Sequence, residues 1–300
     1  MSHSSNEPLS PAATAKKAED YGTVKATRPN GTAFALAISA GAFIAIAFIF
    51  YVTVTTGNAG MGWGMQHLIG GLCFSMGITM VIILGGELFT STVLSLVPRA
   101  SGRINSSRML TNWAVVYAGN FVGSIILVAL MMFAKQYMAD HAQWGITAMN
   151  VANHKLQHSF GQAVVLGMLC NIMVCLAVWM AYSARTLIEK AFIVMLPVAM
   201  FVAGGFEHCV ANMFMIPMGV AIQHFAPAEF WAAAGASPSD YASLTFSNFI
   251  TLNLIPVTIG NILGGGVLVG MSYWAIFRRP ELKAEKNDAQ QAAGKLKEAA

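Results

Sequence analysis

Charged residues are scarce in this chain. Asp, Glu, Lys and Arg make up 10% of its 300 residues, whereas a soluble domain carries about 25%. The few charges crowd into residues 1–30, into the short joints between apolar runs and into the tail after Arg278. This distribution excludes an ordinary soluble enzyme, and we expect neither catalysis nor a nucleic-acid partner. It predicts an all-α polytopic membrane protein in contact with lipid.

Metal-binding and redox patterns are also missing. The cysteines lie inside apolar runs and form no CxxC pair, which is typical of buried thiols. They are Cys73, Cys170, Cys175 and Cys209. His154 and His158 have the i, i+4 spacing of a metal pair, but no third ligand is near in sequence, so we expect both on the outer surface. No cofactor is predicted.

A signal peptide is a third absence. The polar start of the chain contains no short apolar stretch followed by a cleavage site, so we expect no removal of a leader. Residues 1–30 are predicted to be a cytoplasmic segment with a short helix that begins at Ser10-Pro11, because Ser caps helices and Pro favours the first turn. This segment is either a solvated tail or a docking element and possible gate. Residues 279–300 are predicted to be a cytoplasmic tail, either a frayed helix or disordered.

Six apolar runs are long enough to cross a bilayer, which takes about 20 residues. They are Ala33–Thr56, His67–Val97, Leu110–Phe133, Phe160–Tyr182, Ala191–Ile222 and Asn248–Phe277. The second and fifth are too long for one straight helix, and each contains a diglycine, which weakens a helix interior. We therefore predict that both spans are broken, at GGELFTST (residues 85–92) and at GGFEHCVANM (residues 204–213).

Basic residues predict the orientation, because cytoplasmic loops carry an excess of Lys and Arg. With the N-terminus inside, only Lys135 and Lys155 of the 17 basic residues fall outside. Both termini are therefore predicted to be cytoplasmic.

The chain also repeats itself. The third span contains GNFVG (residues 119–123), the sixth contains GNILG (residues 260–264), and the predicted breaks fall in the second and fifth spans. An odd number of spans in each half makes the halves run in opposite directions. Such an inverted repeat is common in transporters, whose sites lie near the bilayer midplane. We assign residues 31–150 and 151–278 to the two three-helix repeats.

Four polar residues in the breaks are candidates for function, because ionisable groups at membrane depth are costly and usually functional. His208 can change charge near neutral pH and could meet a small anion, and Thr90 is a hydroxyl partner for its ring. Glu87 and Glu207 would repel an anion, so we expect them to accept hydrogen bonds from backbone amides freed at the half-helix starts. The positive ends of those half-helices would favour an anion.

Four stretches of the chain are similar to the formate–nitrite transporter family. They are GGELFTST, NHKLQHSF (residues 153–160), MLPVAMFVAGGFEHCVANMFMIPMG (residues 195–219) and NLIPVTIGNILGGGVLVG (residues 253–270). The resemblance runs from about Pro11 to Arg279. It implies an aquaporin-like arrangement of six spans, a homopentamer with one pore per subunit and a place in the bacterial inner membrane. It also implies an N-terminal segment that shifts with pH, and pyruvate formate-lyase as a cytoplasmic partner.

The resemblance implies roles for individual residues as well. Its central pair falls on Thr90 and His208. Two constrictions flank this pair. The outer one falls on Phe74 and Phe201 with Ile78 beside them, where leucine would be expected, and the inner one falls on Leu88, Asn171 and Val174. Basic residues that attract anions fall on Lys155 outside and Lys25 inside.

Together these features predict a bidirectional, pH-dependent channel for formate and other small monovalent anions. A protonated His208, or proton transfer to the anion, would lower the cost of burying a charge at the constriction. The same residues fit nitrite, hydrosulfide or another small anion, and they also fit an ion-coupled carrier. The alternative of another class is a membrane haem or redox protein, which would need axial ligands on facing helices; by sequence, His208 alone among the histidines lies deep in a span.

Overall fold

The computed structural model describes residues 8–58 and 60–298, and the regular elements within them are helices. The principal helices are α1 (Pro11–Thr27), α2 (Asn30–Thr55), α3 (Trp63–Leu84), α4 (Phe89–Thr92), α5 (Leu96–Ala100), α6 (Ser106–Phe133), α7 (Gln143–Lys155), α8 (Phe160–Ser183), α9 (Leu187–Ala203), α10 (Cys209–Phe225), α11 (Ala228–Ala234) and α12, a helical run over residues 246–298. Short 3₁₀ turns lie at Val93–Ser95, Gln136–Met138 and Pro238–Tyr241. The predicted all-α class is confirmed.

Five helices in the described part of the chain are long and apolar enough to cross a membrane: α2, α3, α6, α8 and the run that contains α12. The number is up to six if α10 and α11, which meet at a bend of 108°, count as one span. The predicted fifth span, Ala191–Ile222, corresponds to two helices of 17 residues each, α9 and α10. The count of six spans stays a prediction.

Helix α1 is docked against the rest of the molecule. The Ser10 hydroxyl accepts a hydrogen bond from the Ala13 amide at 3.3 Å, and Pro11 occupies the first turn, as the sequence predicts. The face of α1 that packs inward is built from small residues and one acid: Thr14, Ala15, Ala18, Glu19, Gly22 and Ala26 are buried. At the other end, Arg279–Glu298 is an α-helix that continues α12, so this tail is helical rather than disordered.

Glycines terminate α3 and α9. Gly85 has φ +75° and Gly205 has φ +69°, backbone angles at which a Cβ is disfavoured. After each glycine the chain folds back: the Gly86 amide donates to the Val81 carbonyl at 2.8 Å, and the Phe206 amide donates to the Phe201 carbonyl at 3.0 Å. The chain then runs without helix until Phe89 and Cys209, where α4 and α10 begin.

The GNFVG and GNILG segments bring two pairs of helices very close. A Cβ on Gly123 would lie 2.0 Å from the Ile38 carbonyl oxygen, so α6 and α2 meet backbone to backbone. A Cβ on Gly260 would lie 2.1 Å from the Val164 carbonyl oxygen, which joins α12 to α8 in the same way. Small residues permit this approach between membrane helices. The two helix pairs hold the two non-helical segments between them.

Candidate functional site

One asparagine organises each non-helical segment. Asn120 of α6 accepts a hydrogen bond from the Phe89 amide at 2.9 Å, and its own amide group donates to the carbonyls of Glu87 and Ala37, both at 2.8 Å. It therefore caps the start of α4, fixes the Glu87 carbonyl two residues earlier and contacts α2. Asn120 is fully buried, and buried polar groups need such partners.

Asn261 repeats this arrangement in the second half of the chain. It accepts from the Cys209 amide at 2.9 Å and donates to the carbonyls of Glu207 at 3.0 Å and Gly167 at 2.8 Å. The backbone amides of the two acidic residues are also placed alike, since Glu87 donates to Leu36 and Glu207 to Leu166, both at 3.3 Å. The two segments are built from matching contacts.

The carboxylates of Glu87 and Glu207 do not accept the helix-start amides, so that expectation was wrong. Glu87 is fully buried and pairs with Lys25 at 3.0 Å and Arg28 at 2.8 Å. Glu207 pairs with Lys155 at 2.8 Å. An asparagine can satisfy an N–H and a C=O at once, whereas a carboxylate only accepts, which is why the amides go to asparagine.

Glu207 has two further partners on its second oxygen. The amide groups of Asn212 and Asn253 donate to Oε2 at 2.6 and 3.0 Å. The two lysines that the family resemblance assigns to anion attraction thus have compensated charges: Lys25 lies against Glu87 and Lys155 lies against Glu207.

Thr90 and His208 are in contact, as the sequence led us to expect. The Thr90 hydroxyl lies 3.1 Å from His208 Nε2, and both side chains are buried. His208 Nδ1 accepts a hydrogen bond from the Ala211 amide at 3.1 Å, so the ring caps α10. Because Nδ1 uses its lone pair as an acceptor, the neutral ring carries its proton on Nε2 and donates it to Thr90.

The helix starts offer fewer free donors than expected. The first amides of α4 and α10 donate to Asn120 and Asn261, and the Ala211 amide donates to His208. A bound anion would therefore meet side-chain donors first. The Nε2–H of His208 and the hydroxyl of Thr90 are the donors at this point.

Two cavities approach the pair. The first, which we call the histidine cavity, has a volume of about 520 Å³ and contains His208 in its wall. Its other polar and aromatic walls include Trp63, His67, Phe74, His154, Lys155, His158, Phe201 and Glu207. The second, the lysine cavity, has a volume of about 110 Å³. Its walls include Lys17, Tyr21, Lys25, Ile78, Leu88, Ser91, Tyr182 and Lys190.

A layer of apolar side chains separates the cavities. The rings of Phe74 and Phe201 meet edge to face with their centroids 6.0 Å apart, and the Phe201 ring stacks on the His208 ring at a centroid distance of 5.9 Å. Leu88 closes the layer on the lysine side. Ile78 lines the lysine cavity, and its place beside the two phenylalanines stays a prediction.

Asn171 and Val174 are fully buried, and the walls of these two cavities do not include them. Asn171 instead donates to the Thr90 carbonyl at 3.0 Å and to the Asn261 carbonyl at 2.6 Å. It therefore positions the backbone that carries Thr90.

Several residues at the site were not predicted. Arg28, Asn212 and Asn253 complete the carboxylate sites. His158 was expected on the outer surface, but its side chain is only 18% exposed and faces Glu207. One signal was present in the sequence: Arg28 follows Lys25 by three residues, as His158 follows Lys155.

The described residues contain no group of three or more His, Cys, Asp or Glu side chains that could hold a metal ion. The four cysteines are free; Cys73 is half-buried and the others are buried.

Comparison with known proteins gives the family. The model of the formate/nitrite transporter family matches residues 12–275. The chain is 56% identical over 271 residues to the formate channel FocA of Escherichia coli K12, covering 90% of this chain and 95% of that one. It is 52% identical over 263 residues to the formate channel FocA of Haemophilus influenzae, covering 88% and 93% of the two chains.

Solved structures agree. A pentameric formate channel with formate bound is 57% identical, with a TM-score of 0.80 over 83% of this chain and 97% of that one. An FNT family ion channel is 27% identical, with a TM-score of 0.70 over 88% and 96%. The apolar helices, the paired non-helical segments and these similarities lead to one conclusion: the chain is a multi-pass membrane protein that belongs to the formate/nitrite transporter family.

Proposed function

We propose that this chain is a bidirectional, pH-dependent channel for formate and similarly small monovalent anions, with His208 at its centre. The observation that carries the proposal is the buried Thr90–His208 pair, which lies where two cavities approach each other. The similar channels are named for formate, and one holds formate in its structure.

The positions of the cavities along α3 support a path across the membrane. His67 lines the histidine cavity, and Ile82, in the same helix, lines the lysine cavity. Fifteen residues of α-helix separate them, which is about 22 Å at 1.5 Å per residue. That length is most of the roughly 30 Å hydrocarbon core.

The electrostatics favour an anion at the layer. Burying an unpaired charge in an apolar medium costs tens of kcal/mol by an idealised Born estimate, and a helix end contributes only about 0.3–1 kcal/mol, or up to about 2. The Thr90 hydroxyl adds a hydrogen-bond donor, and the Nε2–H of His208 adds a second one when it turns from Thr90 to the anion. Both nearby carboxylates are neutralised by lysine, so neither repels the anion at full charge.

Proton transfer can remove the remaining cost. An imidazolium at His208 would give its Nε2 proton to a formate oxygen, which yields formic acid and the neutral ring. That ring keeps its proton on Nδ1, so proton exchange with water must return it to the Nε2–H form, in which Nδ1 accepts the Ala211 amide. A supply of protons at low external pH would then favour uptake, and higher pH would favour efflux as the anion.

The test is formate flux through purified protein in vesicles at pH 5, 6, 7 and 8. We expect His208→Asn to flatten the pH profile and Thr90→Val to reduce flux at every pH. His224→Asn, at an exposed histidine on the last turn of α10, is the matched control and should behave as the parent protein. If His208→Asn keeps both the flux and the profile, the central role of His208 is wrong. Nitrite and hydrosulfide in parallel give the selectivity.

Assembly and location are part of the same proposal. One similar solved structure is described as pentameric, and we propose five copies of this 31.9 kDa chain in the bacterial inner membrane. Fifteen of the 17 basic residues fall on the predicted inside, which favours cytoplasmic termini. The N-terminal helix would then face the cytoplasm as a possible gate and as a contact for pyruvate formate-lyase. The native mass in lipid nanodiscs tests the stoichiometry.

A further inference from the structure

The two buried carboxylates have matching pairs of basic partners, with one difference. Glu87 faces Lys25 and Arg28, and Glu207 faces Lys155 and His158. In both cases the lysine lies in the last turn of a helix, α1 or α7, and the second group follows three residues later, just before a long apolar helix. The difference is chemical, because arginine is always charged and histidine is charged only when protonated.

His158 lies close enough to the Glu207 carboxylate to pair with it once the His158 ring is protonated. Its Nε2 lies 4.0 Å from Glu207 Oε1, the oxygen to which Lys155 donates at 2.8 Å. The Nε2 atom is buried and has no hydrogen-bond partner. An unpaired buried donor or acceptor is unfavourable, and a small rotation of a protonated ring would make a charge-assisted hydrogen bond to Glu207.

The groups around His158 set the pH at which this happens. Burial disfavours the charged ring, as do Lys155 and the neighbouring His154, whereas Glu207 favours it; together they lower the pKa of His158 below its ordinary value. His67 of α3 lines the same cavity. The charge on His158 therefore appears only in acid, at a lower pH than for an ordinary histidine.

The Glu87 site and the Glu207 site therefore differ in net charge. Glu87 with Lys25 and Arg28 sums to +1 at every physiological pH. Glu207 with Lys155 sums to zero while His158 is neutral, and to +1 once His158 is protonated. The wall of the histidine cavity thus gains its net positive charge only in acid.

We propose that His158 is a pH-dependent positioning residue that attracts anions into the histidine cavity in acid. This inference rests on the proposed function and deepens it. Protonated His158 donates a hydrogen bond to the Glu207 carboxylate. That carboxylate then compensates less of the Lys155 charge, and more of this charge acts on an anion in the cavity. Anions that leave by the histidine cavity pass the same site, so the control acts on flux in both directions and depends on the pH of the histidine cavity.

The experiment measures formate uptake and efflux separately in vesicles at pH 5.5 and 8. His158→Gln keeps a polar side chain without the charge, and we expect the ratio of uptake at pH 5.5 to uptake at pH 8 to fall roughly fourfold, the effect of one charge at about 10 Å in a medium between protein and water. His158→Arg copies the Arg28 arrangement and should raise uptake at pH 8 by a similar factor. Efflux measured at the same pH should change with uptake in both variants, because both directions cross the histidine cavity. His224→Gln is the matched control.

The outcomes separate this inference from the function beneath it. If the parent protein conducts formate and His158→Gln retains the parental uptake ratio, the role of His158 is overturned. If the parent protein does not conduct formate at any pH, the proposed function itself fails. If His158→Arg does not assemble, the His158→Gln ratio still decides. An equal loss of flux at pH 5.5 and at pH 8 in His158→Gln would show a structural role and would also overturn the inference.

Discussion

Replacement of Glu19 by glutamine should release the N-terminal helix from the molecule. Glu19 is 1% exposed, and its carboxylate accepts hydrogen bonds from the Ser101 hydroxyl at 2.7 Å and from Arg278 Nε at 2.8 Å, with Arg103 at 3.4 Å. These partners come from the joint after α5 and from α12. Helix α1 is thus fastened by one acid to two distant parts of the chain.

The magnitude follows from burial. Removing one partner of a buried ion pair costs about 3–5 kcal/mol, because the other charge is left uncompensated. The Arg278 side chain is 4% exposed and keeps Glu281 as a second partner, so we take the lower value. About 3 kcal/mol is roughly a hundredfold in the docking equilibrium of α1. Glu285→Gln is the matched control: it lies 3.9 Å from the same arginine but is 57% exposed, where a pair contributes below about 1 kcal/mol.

Amide hydrogen exchange across Pro11–Thr27 measures this docking directly. We expect Glu19→Gln to speed exchange in this helix by roughly two orders of magnitude, and Glu285→Gln to leave it within a fewfold of the parent rate. Equal protection in the two variants would refute the reasoning, since the buried and exposed carboxylates would then contribute alike.

The pH dependence of the Glu19 contact has a definite sign. Burial raises the pKa of Glu19, but hydrogen bonds from Arg278 and Ser101 outweigh burial and the net effect lowers it. A lowered carboxyl pKa stabilises the docked state at every pH above the unfolded value of about 4.3, and the contribution is lost only as the pH falls through the lowered pKa. Protection of α1 by this contact should therefore be constant from pH 5 to pH 8. If the N-terminal segment shifts within that range, as the family resemblance implies, another group triggers it.

Two further predictions concern the scaffold. Asn120→Ala removes three buried hydrogen bonds and should destabilise the protein by about 3 kcal/mol or more, seen as a lower midpoint of thermal unfolding in detergent; an unchanged midpoint would contradict the capping role. Gly123→Ala places a Cβ 2.0 Å from the Ile38 carbonyl oxygen and should separate α2 from α6 with a comparable loss, whereas Gly31→Ala, in open space near the start of α2, should be neutral or stabilising by up to about 1 kcal/mol.

The sequence predicted best those features that depend only on neighbouring residues in the chain. Apolar length located the long helices, and the diglycines located the ends of α3 and α9, because a positive φ needs glycine whatever the surroundings. The Thr90–His208 contact was also anticipated, although 118 positions separate the two residues. In that case the matching order of the two halves supplied the long-range information.

The sequence was least informative where several partners compete for one group. A freed amide in the middle of a membrane needs an acceptor, and glutamate was the nearest in sequence. The structure gives the amides to Asn120 and Asn261 and gives Glu87 and Glu207 to basic side chains from 62 and 52 positions away.

Helices α1 and α7, each of which precedes a long apolar helix, supply the lysines that pair with Glu87 and Glu207. The chain therefore divides between residues 134 and 142 rather than after residue 150. The cations of Glu87 and the bonds of Asn120 come from residues before 134, and those of Glu207 and Asn261 come from residues after 142. A chain cut between these positions would keep each carboxylate with its cations and each cap with its helix on one fragment. Thr90 and His208 would lie on different fragments. The chemistry at the centre thus belongs to neither half and exists only where the two halves meet.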